Sequence, residues 1–282
     1  MIDSVGKPWS GAEVACTVES YLAMLKKELA GEPYNKAEEN RKLREHLSGR
    51  SQAAVEFKHQ NISAVLIELG WIPIGGYKPA SNYQGILRDV VGEALTHDSG
   101  IEKATERALA RIDLRPIATG GVPDIVSAPH VQLSVSEWVP RDKGIRRDYL
   151  QREGQNRKLG HAGELAVVAF EQRRLIGLGK GHLAAKVEHV SESQGDGLGF
   201  DVLSYDENGA KRMIEVKTTR YRSEIPFFVS SNEIAASKYL RDSFHIYRLF
   251  QFEKKPGMYT LRGPVGDSCE LRATEYLAAP RG

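Results

Sequence analysis

The chain has little cysteine, and what it has is badly placed for a scaffold. Cys16 and Cys269 form no CxxC pair and share no Cys/His ligand spacing, so neither a disulfide framework nor a structural zinc site is expected, and a reducing compartment fits. No run of about 18 apolar residues occurs, which leaves no candidate membrane span. The first residues, with Asp3, Pro8 and Trp9, lack the basic stretch and apolar core of an export signal, so the expected localisation is cytoplasmic. No G-x-S-x-G elbow supports a serine hydrolase. The Gly195-Asp196-Gly197-Leu198-Gly199 run lacks the GK[ST] ending and following helix of a phosphate-cradling loop, and reads instead as a sharp turn. His161 and His189 have no partner at ligand spacing and read as structural. Repeats and low-complexity tracts are absent, and the net charge is only +2, so any footprint for nucleic acid must be local.

What is present is an ordinary ordered protein. At 282 residues, 41% hydrophobic and 27% charged, the chain carries enough apolar material for two cores and too much for wholesale disorder. Apolar residues at helical spacing predict helices over Val14–Leu29, Lys36–Leu47, Asn61–Leu69 with Asn61 as cap and Gly70 as stop, Tyr83–Leu95 and Ile101–Ile112. This gives an α-helical N-terminal domain over 1–112. Pro116, Gly120, Gly121, Pro123, Pro129 and Pro140 then break every period, and 113–156 reads as a linker or basic arm. From there the order is α/β over 157–282. A helix over Leu159–Arg174 precedes strands at Ala185–Val190, Gly199–Tyr205, Lys211–Thr218 and Phe227–Val229. A helix from Ser230 to Arg241, opened by a Ser230/Glu233 capping box, leads to strands at His245–Phe252 and Met258–Arg262. The expected fold is a mixed central sheet flanked by helices.

The chemistry concentrates in Gly199–Tyr205 and Arg212–Thr219. Alternate residues of a strand share a face, so Glu215 and Lys217 project together while Ile214 and Val216 point away. Charges in an otherwise apolar strand are costly unless paired or bound, which makes this E-x-K a candidate site. The same residues also read as an exposed edge pair. Whether Asp201 joins them depends on the turn. A two-residue Asn208-Gly209 loop pairs Asp201 with Val216, whereas a type I turn over Asp206-Glu207-Asn208 with Gly209 in a left-handed bulge sets it opposite Glu215; the bulged form is favoured. Two converging carboxylates suit Mg²⁺, which prefers oxygen ligands, with Mn²⁺ as a substitute. Glu164 on the preceding helix completes the set directly or through water.

The motifs Gly160-His161-Ala162-Gly163-Glu164, His189-Val190-Ser191, Gly195 to Asp201, Ile214 to Thr219, Phe227-Phe228 and Asn232-Glu233 occur in this order. Together they resemble the family of bacterial and plant domains related to the C-terminal part of the plant protein NO VEIN, grouped with the PD-(D/E)xK nuclease superfamily and often found beside restriction and phage-defence genes. The resemblance covers roughly Leu159 to Leu261. It implies a restriction-endonuclease-like fold and an active site of Glu164, Asp201, Glu215 and Lys217, with the three carboxylates as metal ligands. Phe200, not proline, precedes Asp201, a departure that leaves metal binding intact. The helical half is similar to domains that accompany bacterial restriction-type nucleases, around Glu32 to Lys36 and Val55 to Ser63.

These readings combine into a Mg²⁺-dependent DNA endonuclease of restriction or defence type. DNA contacts are expected from Arg146 and Arg147, within a segment from Arg141 to Lys158 that has seven basic and three acidic residues, and from Lys58 and Asn61 at a helix start. Cutting both strands calls for two sites, so a homodimer is expected. The alternatives are an inactive nucleic-acid-binding module on the same fold, or a protein-interaction module of a defence complex.

Overall fold

In a computed structural model of the protein, the described residues are 8–47, 49–111, 123–131, 147–253, 255–274 and 278. The recurrence of Val14, Val18, Leu22 and Leu25 makes helix α1, Gly11–Ala30, which Ser10 and Glu13 cap reciprocally and Gly31 ends at φ 76°. Helix α2 spans Lys36–Glu45, α3 Gln52–Glu68, α4 Gly85–His97 and α5 Ser99–Ala110. The apolar stripes of α1, α3, α4 and α5 meet in one core around Tyr21, Leu25, Ile62, Leu66, Trp71, Leu87 and Ile101, while Leu43 of α2 packs with Leu47 and Val55 in a smaller cluster. Each such fully buried aliphatic or aromatic side chain contributes about 1.5–3 kcal/mol.

Helix α3 begins nine residues earlier than the expected Asn61, because Ser51 caps it by accepting from the Ala54 amide. Lys58, His59 and Asn61 made this stretch look like a polar helix start. All three are buried instead. Asn61 donates to the carbonyls of Ala80 and Asn82, and the Lys58 ammonium lies 4.7 Å from the centre of the Trp9 ring.

The stretch expected to be a linker is built into both halves wherever it is described. Strand β1, Asp124–Ile125, adds to the sheet. The Arg147 amide donates to the Leu69 carbonyl, and helix α6, Tyr149–Gly154, sends Tyr149 and Leu150 into the helical core.

Helix α7, Arg157–Gly177, is capped by Asn156 and followed by the short helix α8, Gly181–Ala184. Only Glu188–His189 of the expected strand Ala185–Val190 pairs, as β2, and Val190 instead opens the short helix α9, Val190–Ser193. Strands β3, Val202–Tyr205, and β4, Lys211–Thr218, form an antiparallel hairpin. Helix α10, Ser231–Leu240, crosses to β5, Phe244–Phe250, which lies parallel to β4; β6, Gly257–Arg262, and helix α11, Val265–Ser268, follow. The six strands found among the described residues form one mixed sheet in the order β1-β6-β5-β4-β3-β2. Phe227–Val229, expected as a strand, pairs with nothing in the sheet. Its apolar residues pack instead on the α10 side of β5, where Phe227 and Val229 meet the Phe244 and Ile246 cluster.

Two layers therefore clasp β4. Ile214 and Val216 face α7 through Leu159, Val167 and Phe170, as the period-2 reading requires. The fit is tight at one place: a Cβ added to Gly163 of α7 would stand 1.9 Å from Thr218 Oγ1. Thr218 Oγ1 itself is buried without a hydrogen-bond partner, so it can be removed at low cost. Gly163→Ala should destabilise the protein by about 1–3 kcal/mol through overpacking, and adding Thr218→Ala should restore a large part of that. Denaturant unfolding of the four proteins of this cycle provides the check; additive effects would mean that the contact does not set the α7–β4 spacing.

Candidate active site

The hairpin turn decides where Asp201 goes. The Asp206 amide donates to the Ala210 carbonyl and the Gly209 amide to that of Asp206, at 2.8 and 2.9 Å. Gly209 takes φ 84°, the left-handed geometry that closes a three-residue bulged loop. The register runs from Tyr205 opposite Lys211 to Val202 opposite Ile214. One step further, Asp201 stands across from Glu215. Its amide donates to the Ile214 carbonyl at 2.9 Å, and its carboxylate accepts from the Val216 amide at 2.7 Å. The chain reaches this point through Gly199 at φ 76°, where a Cβ would come within 2.7 Å of Ala236 on α10, so only glycine lets the turn pass this close.

On the α10 face of β4, Glu215 is 5% exposed, and the Lys217 ammonium lies 2.7 Å from both Glu215 Oε1 and Glu233 Oε2. Glu233 also receives the Ser230 amide in the α10 capping box, so one side chain closes the helix end and holds the lysine. Burial pushes the Glu215 carboxyl well above its ordinary value, Lys217 opposing and Asp201 and Glu233 adding to the rise. Burial likewise raises Asp201 to about 7, helped by the charges of Glu164 and Glu233 and opposed by the Val216 amide and Lys217. Burial works against the charge of Lys217, yet Glu215 and Glu233 outweigh it and hold the ammonium above its usual range.

Glu164 approaches from α7. Its Oε2 accepts from Ser191 Oγ at 2.9 Å and lies 2.6 Å from His189 Nε2. Glu164, Asp201, Glu215 and Lys217 all line one cleft of about 1150 Å³, shared with His161, His189, Glu233 and Arg248. Arg248 stands opposite Lys217 in the β4–β5 register. Its guanidinium is buried 5.5 Å from the Phe227 ring centre, and its Nε has no hydrogen-bond partner.

Of the residues expected to touch DNA, those that are described lie outside the cleft. Lys58 and Asn61 are buried mid-helix, and burial lowers the lysine's affinity for its proton, so neither presents the exposed helix start that the sequence suggested. Arg147 is paired with Glu102 at 2.8 Å and lies against Trp71. Arg146 lies outside the described residues. None of the three described residues lines the cleft; from the basic segment, Arg157 does. Conversely, sequence reasoning set His161 and His189 aside as structural, gave Glu233 a cap and a place among the family motifs but no role in the site, and passed over Arg248. An arginine inside the apolar run Phe244–Phe250 was the available signal for the last of these.

The four carboxylates of Glu164, Asp201, Glu215 and Glu233 line one cleft, and the Lys217 ammonium pairs with two of them, Glu215 and Glu233. Burial is the main reason that the Asp201 and Glu215 carboxyls are raised, and their mutual and neighbouring negative charges add to it; a divalent cation held by Asp201, Glu215 and Glu164 would offset both.

A family model described as Protein NO VEIN, C-terminal, matches residues 163–261, a span running from α7 to β6 that includes Glu164, His189, Asp201, Glu215, Lys217 and Glu233. Neither the curated proteins nor the solved structures yielded a match.

The raised Asp201 value fixes a pH dependence. The folded chain binds this proton more tightly than the unfolded chain does, so the contribution of Asp201 to stability is fully present below about pH 4 and is lost as pH rises through about 7. In metal-free buffer at pH 8, Asp201→Asn should be more stable than the native chain by roughly 2–4 kcal/mol, with the gap closing near pH 4. Denaturant titrations across that range test this; parallel profiles for the two proteins would refute it.

Proposed function

We propose that this chain is a divalent-metal-dependent DNA endonuclease of restriction or phage-defence type, with a restriction-endonuclease-like catalytic unit of the PD-(D/E)xK superfamily. The observation that supports it is the meeting of Asp201, Glu215, Lys217 and Glu164 in one cleft beside the sheet. The order of α7, the β3–β4 hairpin, the α10 crossover and parallel β5 is in keeping with this reading, as is the similarity of residues 163–261 to the NO VEIN C-terminal family.

A Mg²⁺ ion, or Mn²⁺ in its place, held by Asp201, Glu215 and Glu164 would polarise the scissile phosphate and make a bound water acidic. The remaining tasks fall to the chain. Lys217 stays protonated between Glu215 and Glu233, so it acts as a fixed cation and not as a base, stabilising charge that develops on the phosphate. The Val216 amide aims the Asp201 carboxylate, and Ser191 and His189 aim that of Glu164. Arg248, with a free Nε beside Lys217, offers a second donor to a phosphate oxygen. Double-strand cleavage would need two such clefts and hence a homodimer.

Nicking of supercoiled plasmid in Mg²⁺ or Mn²⁺ tests the proposal. The native chain should nick, Asp201→Ala and Glu215→Gln should lose detectable turnover, and Lys217→Ala should fall by about 10²-fold or more. Equal nicking by native chain and Asp201→Ala, or none by either, would remove the catalytic reading and leave a nucleic-acid-binding or protein-interaction module.

A further inference from the structure

Beside the carboxylates of β3 and β4 lies a second donor set of different chemistry. His161 and Glu164 are three residues apart on α7 and so share one face of the helix. His189 reaches them from the end of β2. A ring nitrogen of each histidine and a carboxylate oxygen of Glu164 lie within 4.8 Å of one another, and the two imidazole centres are 5.5 Å apart. His189 Nδ1 lies 3.1 Å from Glu192 Oε2 on α9. A carboxylate on the far nitrogen is the usual support of a metal-bound imidazole, because it fixes the tautomer and leaves Nε2 free as a ligand. Glu188, in the same strand, is engaged elsewhere, by Ser193 and Gln194. The supporting role therefore falls to Glu192.

We propose that His161, Glu164 and His189 form a binding site for a first-row transition ion such as Mn²⁺ or Zn²⁺, with Glu192 as the positioning residue behind His189. Two imidazoles and one carboxylate suit borderline ions and are a poor match for Mg²⁺, which favours oxygen alone. Ligand atoms about 2.1 Å from an ion stand about 3 Å or more from each other. Metal entry therefore spreads the 2.6 Å Glu164–His189 pair slightly and draws in the exposed His161. Glu164 is the one ligand shared with the proposed endonuclease site, where His189 only aims it, and the inference does not depend on phosphodiester cleavage.

The full-length chain, stripped of metal, is titrated calorimetrically with Zn²⁺, Mn²⁺ and Mg²⁺, and its Mn²⁺ form is examined by pulsed electron paramagnetic resonance. Zn²⁺ and Mn²⁺ should bind at least about 10-fold more tightly than Mg²⁺. Modulation from ¹⁴N should appear in the Mn²⁺ form and change on ¹⁵N-histidine labelling, a readout that needs no variant. His161→Ala with His189→Ala should abolish the nitrogen signal, Glu192→Gln should weaken binding by about 10-fold, and Asp201→Ala with Glu215→Gln should leave the signal in place. Absence of nitrogen modulation in the native chain, or its survival in the double histidine variant, overturns the site. A nitrogen signal without plasmid nicking would sink the endonuclease reading alone, and nicking without a nitrogen signal would sink this one alone.

Discussion

The rest of the cleft answers to one constraint: β4 carries Glu215 and Lys217 on one face while its other face seals a hydrophobic layer. Burying a carboxylate costs several kcal/mol unless a counter-charge comes with it. Lys217 provides one, but it is divided between Glu215 and Glu233, and Asp201 adds a further acid across the hairpin. What results is a pocket in which protons or cations must make up the balance. That imbalance separates the group from an ordinary buried ion pair. Compare Glu171, equally enclosed, whose oxygens are taken up by Arg174, Ser204 and Tyr247 and whose carboxyl is held below its ordinary value despite its burial.

The cleft is aimed by its surroundings. Close approach of α7 through Gly163 brings Glu164 to the sheet, and the Gly199 turn brings Asp201 beneath α10. The loop after β4 then ties the site to the helical half. Glu153 of α6 accepts from the Thr219 hydroxyl and the Arg220 amide, the Arg220 guanidinium donates to the Ala108 carbonyl at the end of α5, and Ile225 enters the helical core. Strand β4 thus continues directly into the contacts that join the two halves, without a free hinge between chemistry and helices.

How much was legible in the sequence follows from the range over which each signal acts. The faces of Glu215 and Lys217 came from strand periodicity, and the register of Asp201 from the conformational freedom of Gly209, both local properties. Helices α1, α2, α4 and α5 likewise declared themselves by the spacing of their apolar residues. Failures arose where tertiary packing overrode local appearance. Lys58 and Asn61 look like a solvated helix start, but Trp9 and the carbonyls of Ala80 and Asn82 absorb them. Phe227–Val229 has strand composition because it packs, not because it pairs. Glu233 and His189 take their places in the cleft only through contacts 16 and 25 residues distant in sequence, which no short-range pattern carries.

The sheet's two outermost strands bear on whether a further strand can join it. Its outermost strands, β1 and β2, are two residues each, while the long strands β4 and β5 lie inside. A border that short presents too few unpaired amides and carbonyls to template an incoming strand. Strand addition along either of these two-residue strands, whether from a second copy or from an extended peptide, therefore has few backbone hydrogen bonds to gain.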